Sequence, residues 1–150
     1  MAPSIYCILS RYAEAEPVPE ALRLISFRQL SGGYAYHKAF LGRVVLSIQR
    51  VFGPKPRTLI EAAKLLGGSE VSYGDCAVRV NALPLVSITV VLWTESPEFP
   101  ASANVLFDAS ISHYLTTEQV AMLGELTSAR LRHAYEVLVG KQKGKVPDIR

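Results

Sequence analysis

The sequence predicts an α+β fold: a small antiparallel sheet of three or more strands packed against helices, with a long C-terminal helix. Apolar residues recur every three to four positions in the first half of the chain and again after residue 116, which is typical of helices. Between residues 76 and 107 the pattern changes to alternation or to β-branched apolar runs, which indicate strands. Helices, then strands, then a helix is an order that favours an antiparallel sheet.

The length and composition predict one folded domain over residues 1–140, followed by a basic flexible tail at 141–150. The chain has 150 residues, of which 49% are hydrophobic and 19% are charged. That is enough apolar material for a substantial core and too much for a disordered chain. With so few charges, some apolar surface should remain exposed, so we expect a protein partner or a homo-oligomer.

The first half of the chain predicts three helices separated by proline and glycine. Pro17 and Pro19 end the first, and a Ser31-Gly32-Gly33 turn precedes the second. The third opens with a capping-box pattern, Thr58-x-x-Glu61, and closes at Gly67-Gly68. The helices are predicted at 5–15, with Ile5, Ile8, Leu9 and Tyr12 on one face, at 37–52 and at 58–66, with a short strand or extended segment at 22–27.

The second half predicts three strands and the long helix. Residues 76–81 alternate between apolar and more polar side chains, and Leu83-Pro84 ends that strand. Residues 86–93 are almost wholly apolar and β-branched, so we expect a central strand buried on both faces. A loop at 96–100 leads to a third strand at 104–107. A second capping-box pattern, Thr116-x-x-Gln119, predicts the start of a helix at 117–139.

The segment 90–115 holds the predicted ligand-binding residues Trp93, Glu98, Asp108 and His113. Asp108 follows an apolar strand, where a carboxylate acts as a base or ligand or accepts hydrogen bonds from the backbone of the next turn. Glu98 lies between two prolines, on a stiff loop that favours ligand binding, or else it is a solvated charge. We expect the four side chains to share one concave surface.

Two arginines are candidate anion anchors for this site. Arg28 and Arg43 lie beside aromatic residues, and a guanidinium binds carboxylate or phosphate groups well. Pairing within the chain, with Asp75 or Glu98, is an equal alternative. The glycine pair before residue 34 is not followed by the Gly-Lys-Ser/Thr of a phosphate-binding P-loop, so we interpret it as a turn.

The sequence predicts no metal site and identifies no cofactor. Cys7 and Cys76 lie far apart without Cys-x-x-Cys spacing, and we expect both to be buried free thiols. The three histidines are scattered and lack the spacing of a zinc site. No nucleophile–base–oxyanion set is recognisable, so whether the chain is an enzyme stays open.

Charge and hydropathy favour a cytoplasmic protein that does not enter a membrane. The net charge is +3, and much of it comes from three lysines and one arginine in the last ten residues. A basic tail can contact phosphate, although a stripe of basic and aromatic residues is missing, so nucleic-acid binding is only a weak prediction. Neither a signal-peptide pattern nor an apolar run of membrane-spanning length occurs.

Four segments carry a family resemblance that covers about two-thirds of the chain: SFRQLSGGYAYHKAFLGRV, VFGPKPRTLIEAAKLLGG, YGDCAVRVNALP and, most specifically, EFPASANVLFDASISHYLTTEQ. From residue 25 to residue 130 the chain resembles a prokaryotic family of uncharacterised domains. Some members are fused to a four-cysteine iron–sulfur domain like that of the corrinoid iron–sulfur protein. The resemblance implies common ancestry without an assigned reaction. Since this chain has no four-cysteine module, a partner would bring any cluster or corrinoid.

Three functions follow as hypotheses. The first is a non-catalytic binding or accessory protein for a cofactor or for a protein that carries one. The second is a small enzyme that uses Asp108 and His113 as an acid–base pair, which requires the two side chains to converge in one cavity. The third is an RNA- or ribosome-associated factor that uses the basic tail, Lys141 to Arg150.

Overall fold

A five-stranded antiparallel sheet organises the chain, which confirms the predicted α+β class. The computed structural model describes residues 2–144, and side chains over residues 5–140. The strand order is β1-β5-β4-β3-β2, with every neighbouring pair antiparallel. The strands are β1 Leu24–Ser26, β2 Ser69–Val71, β3 Cys76–Leu83, β4 Val86–Trp93 and β5 Ser102–Asp108. The α-helices of the described residues are α1 Ala2–Glu14, α2 Gly33–Phe40, α3 Leu46–Phe52, α4 Arg57–Leu65, α5 Ile111–Tyr114 and α6 Thr117–Gly144.

Strand β4 is the centre of the sheet, as its apolar β-branched sequence predicts. Val90 pairs with Val78 on β3 and with Val105 on β5, and all three side chains are buried. These alternate positions face the helices and form the main core. Burying side chains of this kind contributes roughly 1.5–3 kcal/mol each, which makes this layer the main source of stability.

The helical layer has two levels. Helices α3 and α4 lie against the sheet, and Ile48, Phe52 and Leu59 are buried there. Helix α6 packs behind them on α4, α3 and α1. Of the predicted face of α1, Ile8 is buried whereas Ile5 and Leu9 are largely exposed. None of the helices in residues 2–144 is long and apolar enough to cross a lipid bilayer.

The helix predicted at 37–52 begins earlier and is not uniform. It starts at Gly33, directly after Gly32, whose φ of 74° turns the chain. Gly33 lies so close to the preceding turn that a Cβ there would be 2.0 Å from the carbonyl oxygen of Phe27. Residues Leu41–Val45 then form a π-helical turn between α2 and α3. The 3.6-residue period could not reveal that insertion, because a π turn still presents apolar residues to the core.

The two capping-box predictions have different outcomes. At α6 the prediction is confirmed: the Thr116 amide donates to Gln119 Oε1 over 3.0 Å, and the Gln119 amide donates to Thr116 Oγ1 over 3.2 Å. At α4 the prediction is wrong, since the Thr58 hydroxyl donates instead to the carbonyl of Lys55. Helix α4 begins at Arg57, one residue before the predicted start, because Pro56 already has helical backbone angles.

Two short elements, β2 and α5, were not predicted, because three or four residues carry too little periodicity. At the C-terminus α6 continues through Gly140 to Gly144, so the first part of the predicted tail is helical. Residues 145–150, which make up the remainder of that tail, lie outside the described residues.

Candidate functional site

The structure does not bring the four predicted residues of segment 90–115 together. Trp93, at the end of β4, lies opposite Ser102, which starts β5. Asp108 lies at the other end of β5. Asp108 is six positions along extended β5 from Ser102, which is about 20 Å at roughly 3.4 Å per residue. The expectation of one concave surface shared by all four is therefore wrong.

Asp108 acts as a structural acceptor for the connector, by which we mean residues 15–23 between α1 and β1. Its Oδ2 accepts the Ala21 amide over 2.9 Å, the Ser110 amide over 3.0 Å, and the Ser110 hydroxyl. Burial alone would raise the pKa of this carboxyl. These hydrogen bonds, with a contribution from the Arg23 amide, outweigh burial and lower the pKa, so the group is ionised at neutral pH.

His113 holds the same connector at a different point. Its Nε2 donates to the Glu16 carbonyl over 2.7 Å, and its ring packs edge-on against Tyr114 with centroids 5.0 Å apart. The Tyr114 hydroxyl accepts the Val18 amide over 2.9 Å and lies 3.2 Å from the Val18 carbonyl. Asp108 and His113 are thus matched by separate backbone groups, which gives no geometric support to their use as an acid–base pair.

At the other end of β5, the β4–β5 loop comprises residues 94–101. Trp93 directly precedes this loop and Glu98 lies in it. Trp93 is 41% exposed and packs near Gly74, while Glu98 is exposed. The Ser96 amide donates to the Phe99 carbonyl over 2.9 Å, and the Phe99 amide donates to Ser96 Oγ over 3.1 Å. These bonds hold the loop tip in a defined turn, as its prolines predict.

The two predicted anion anchors both have partners inside the chain. The Arg28 guanidinium lies 5.1 Å from the ring centre of Tyr34, a cation–π contact. Arg43 Nη1 lies 3.5 Å from Glu125 Oε1, at a well-exposed position. Neither arginine pairs with Asp75 or Glu98. Asp75 instead accepts the Thr94 amide over 2.7 Å and so ties the start of β3 to the end of β4.

A large cleft lies between α3 and the β4–β5 loop, and we call it the α3–loop cleft. Its volume is about 730 Å³. One wall comes from α3 and the turn that follows it, and the other from the loop, with Arg50 on the first wall and Glu95 on the second. The lining is completed by apolar and small residues and two further polar side chains: Leu46, Gln49, Gly53, Pro54, Pro56, Thr94 and Ala101.

Local hydrogen bonds fix both walls of this cleft. Gln49 Oε1 accepts the Ala103 amide over 3.2 Å, which ties α3 to the start of β5. The Gly53 amide donates to the Gln49 carbonyl and closes α3, and a Cβ on Gly53 would approach Ala101 to 3.6 Å. The cleft can therefore present Arg50 as a cationic donor and Glu95 as an acceptor without a large rearrangement. Sequence reasoning missed these residues, because the contact between α3 and the loop is long-range.

In the described residues the two cysteines are free thiols and belong to no cluster of metal-binding side chains. Cys76 is buried, and its thiol donates to the Pro56 carbonyl with a sulfur–oxygen distance of 3.4 Å. Burial, reinforced by the nearby Glu70 charge, raises the pKa of this thiol. Cys7 is exposed, which corrects the prediction that it is buried, because it lies on the outward side of α1 next to the buried Ile8. Among the side chains described, residues 5–140, no three His, Cys, Asp or Glu cluster as a metal site requires.

Comparison with known families agrees with the resemblance seen in the sequence. Residues 2–130 match the family model described as a domain of unknown function, DUF3786. The chain belongs to this family. No curated protein and no solved structure is detectably similar to it. The α3–loop cleft and the residues at the ends of β4 and β5 all lie within the matched residues of this DUF3786 domain.

Proposed function

We propose that this DUF3786 protein is a non-catalytic binding protein that holds a small, partly polar molecule in the α3–loop cleft. The observation that carries the proposal is the cleft itself: about 730 Å³, with Arg50 and Glu95 on its two walls. Ligand sites in proteins usually occupy roughly 300–1,000 Å³ and combine apolar walls with a few polar groups. This cleft has both properties.

The lining favours a ligand that has an anionic or hydrogen-bond-accepting group for Arg50, a hydrogen-bond donor for Glu95, and an apolar body. Arg50 supplies several N–H donors, whereas the side-chain oxygen of Gln49 is already used by Ala103. Leu46, Pro54 and Pro56 supply apolar surface with little side-chain entropy to lose on binding. The stiff loop keeps that entropic cost low on the other wall.

The sequence resemblance suggests a ligand related to cofactor chemistry. In the family that this chain resembles, some members are fused to a four-cysteine iron–sulfur domain. The cleft is open to the surface, so it also admits a cofactor that a partner protein carries. Phe99, which is 68% exposed at the loop tip, would then contact the partner.

Matched loop variants test the proposal and separate the two situations. We would purify the protein without oxygen and measure bound mass by native mass spectrometry and bound chromophores by absorption. Glu95→Gln should lower occupancy several-fold, whereas Glu98→Gln, on the same loop but outside the cleft lining, should leave it unchanged. Arg50→Gln should act like Glu95→Gln.

If a partner delivers the ligand, Phe99→Ser should lose the partner while retaining any free ligand in the cleft. The proposal fails if nothing binds to the wild-type protein and no partner is retained. It also fails if occupancy is the same in Glu95→Gln and Arg50→Gln as in the wild type.

A further inference from the structure

A second cleft lies on the outer face of the sheet, which is the face turned away from the helices. It lies near the C-terminal end of β5, whereas the α3–loop cleft lies near the start of that strand. Its volume is about 300 Å³. The connector forms one side, with Glu20 and Leu22, and Tyr73 from the β2–β3 loop lines it as well. We call it the outer-face cleft. Asp108, the one predicted site residue that lines it, lies near its inner end.

The floor of this cleft is unusually polar for a central strand. Ser87 and Thr89 are on β4, and both are almost fully buried, at 8% and 3% exposure. Thr89 pairs with Arg79 on β3, and the register that pairs Ile88 with Phe107 places Ser87 beside Asp108. Two hydroxyls thus lie between a carboxylate and a guanidinium on adjacent strands.

The charges that line the cleft leave one carboxylate without a cation. Arg79 forms an ion pair with Glu20, so these two charges compensate each other. The hydrogen bonds on Asp108 come from backbone amides and a serine hydroxyl, which are neutral, and the three described above all fall on Oδ2. Even with the Arg23 amide as a fourth donor to this carboxylate, Oδ1 keeps a lone pair, because each carboxylate oxygen accepts two hydrogen bonds. The lining carries a net charge of one negative unit.

The mouth of the cleft is apolar and held in a costly backbone conformation. Leu22 has a φ of 57°, in the left-handed region that a leucine seldom adopts, and its side chain is 85% exposed. Such a conformation costs of order 1–3 kcal/mol. Leu24 and Tyr73 line the cleft beside it. A ligand with a hydrocarbon part would bury surface that the fold leaves in water.

We infer that the outer-face cleft binds a small organic cation, a primary ammonium group on a short hydrocarbon chain. The ammonium group donates to Asp108 Oδ1 and to the hydroxyls of Ser87 and Thr89, and the hydrocarbon chain lies against Leu22. A cleft of this volume accommodates such a ligand. This site is separate from the α3–loop cleft and does not depend on the function proposed for it.

Three isosteric probes test the charge requirement. Isotope-labelled protein would be titrated with n-butylammonium, n-butanol and butyrate, and backbone amide shifts would be followed by NMR. We expect n-butylammonium to give saturable shifts at Ser87, Thr89 and Tyr73, and the other two probes to give none. Equal shifts with n-butanol, or n-butylammonium shifts confined to other parts of the protein, would overturn the inference.

Two charge variants of the exposed ion pair sharpen the test without touching the buried Asp108. Arg79→Gln makes the lining more negative and should tighten n-butylammonium binding about threefold, whereas Glu20→Gln removes a negative charge and should weaken it about threefold. Glu98→Gln, which removes the same charge outside both cleft linings, is the control and should leave n-butylammonium affinity unchanged. Identical affinities in Arg79→Gln and Glu20→Gln would contradict the inference.

Discussion

The carboxylate of Asp108 accepts the backbone amide of Ala21 over 2.9 Å, although the two residues are 87 positions apart. This bond joins the end of β5 to the connector, which lies over the outer face of the sheet. His113 and Tyr114 hold the same connector at Glu16 and Val18. The polar residues around the end of β5 therefore order a segment that has no regular secondary structure of its own.

Removing the Asp108 carboxylate should destabilise the fold. Asp108→Ala leaves the Ala21 and Ser110 amides without an acceptor in a nearly buried place, and we expect a loss of about 3 kcal/mol in the free energy of unfolding. Asp75→Ala is the matched control, because that carboxylate accepts the Thr94 amide at an exposed position and should cost about 1 kcal/mol. Urea unfolding measures both. Equal losses would show that Asp108 is not the stronger acceptor.

The lowered pKa of Asp108 predicts a loss of stability in acid. The folded pKa lies below the unfolded value of about 3.9, so the ionised form is favoured by folding. This contribution is fully present above the unfolded value and disappears as the pH falls through the folded pKa. Urea unfolding between neutral pH and about pH 3 should therefore show a steeper decline in the wild type than in Asp108→Asn. Parallel curves would be the opposite result.

Two glycines of the helical segment 33–52 should respond differently to alanine. At Gly33 a Cβ would clash with the Phe27 carbonyl oxygen, and neither group is a flexible side chain, so we expect Gly33→Ala to cost at least about 3 kcal/mol. At Gly42 no atom lies within 4 Å of the added Cβ. Gly42→Ala should be neutral or stabilise the protein by up to about 1 kcal/mol. Thermal unfolding compares them, and equal transition temperatures would refute the close packing at Gly33.

The two thiols should differ in reactivity. Cys7 is exposed, whereas Cys76 is buried and its thiol pKa is raised, so little thiolate forms at neutral pH. Brief treatment of the folded protein with iodoacetamide should add one label, on Cys7, and a second should appear only in denaturant. Peptide mass mapping identifies the labelled residue. Rapid labelling of Cys76 in the folded protein would mean that the pocket around Pro56 opens readily.

The fold was largely predictable because its strongest signals are local. The β-branched run 86–93 coincides with β4, and the Thr116–Gln119 box forms as its spacing predicts. The site was less predictable, although one clue was available. The C-terminal ends of two consecutive antiparallel strands point in opposite directions. Trp93 at the end of β4 and Asp108 at the end of β5 could therefore not meet.

The remaining walls of both clefts are formed by contacts between residues far apart in the sequence, which local patterns cannot predict. Arg50 faces the β4–β5 loop only because α3 packs at the start of β5. The outer-face cleft left a weak signal: Ser87 and Thr89 alternate within an otherwise apolar strand, which indicates one more polar face. The prediction that this strand is buried on both faces is confirmed for residues 86–92, but it did not identify the two hydroxyls as part of a cleft.

The most direct test of the proposed function is to fill the α3–loop cleft. Ala101 lines it from the loop side, and a tryptophan there would occupy the space between Arg50 and Glu95. Native mass spectra of the wild type and of Ala101→Trp, purified side by side without oxygen, would be compared after circular dichroism shows that both are folded. We predict a bound species on the wild type that is absent from Ala101→Trp. Equal occupancy in the two proteins would contradict binding in this cleft.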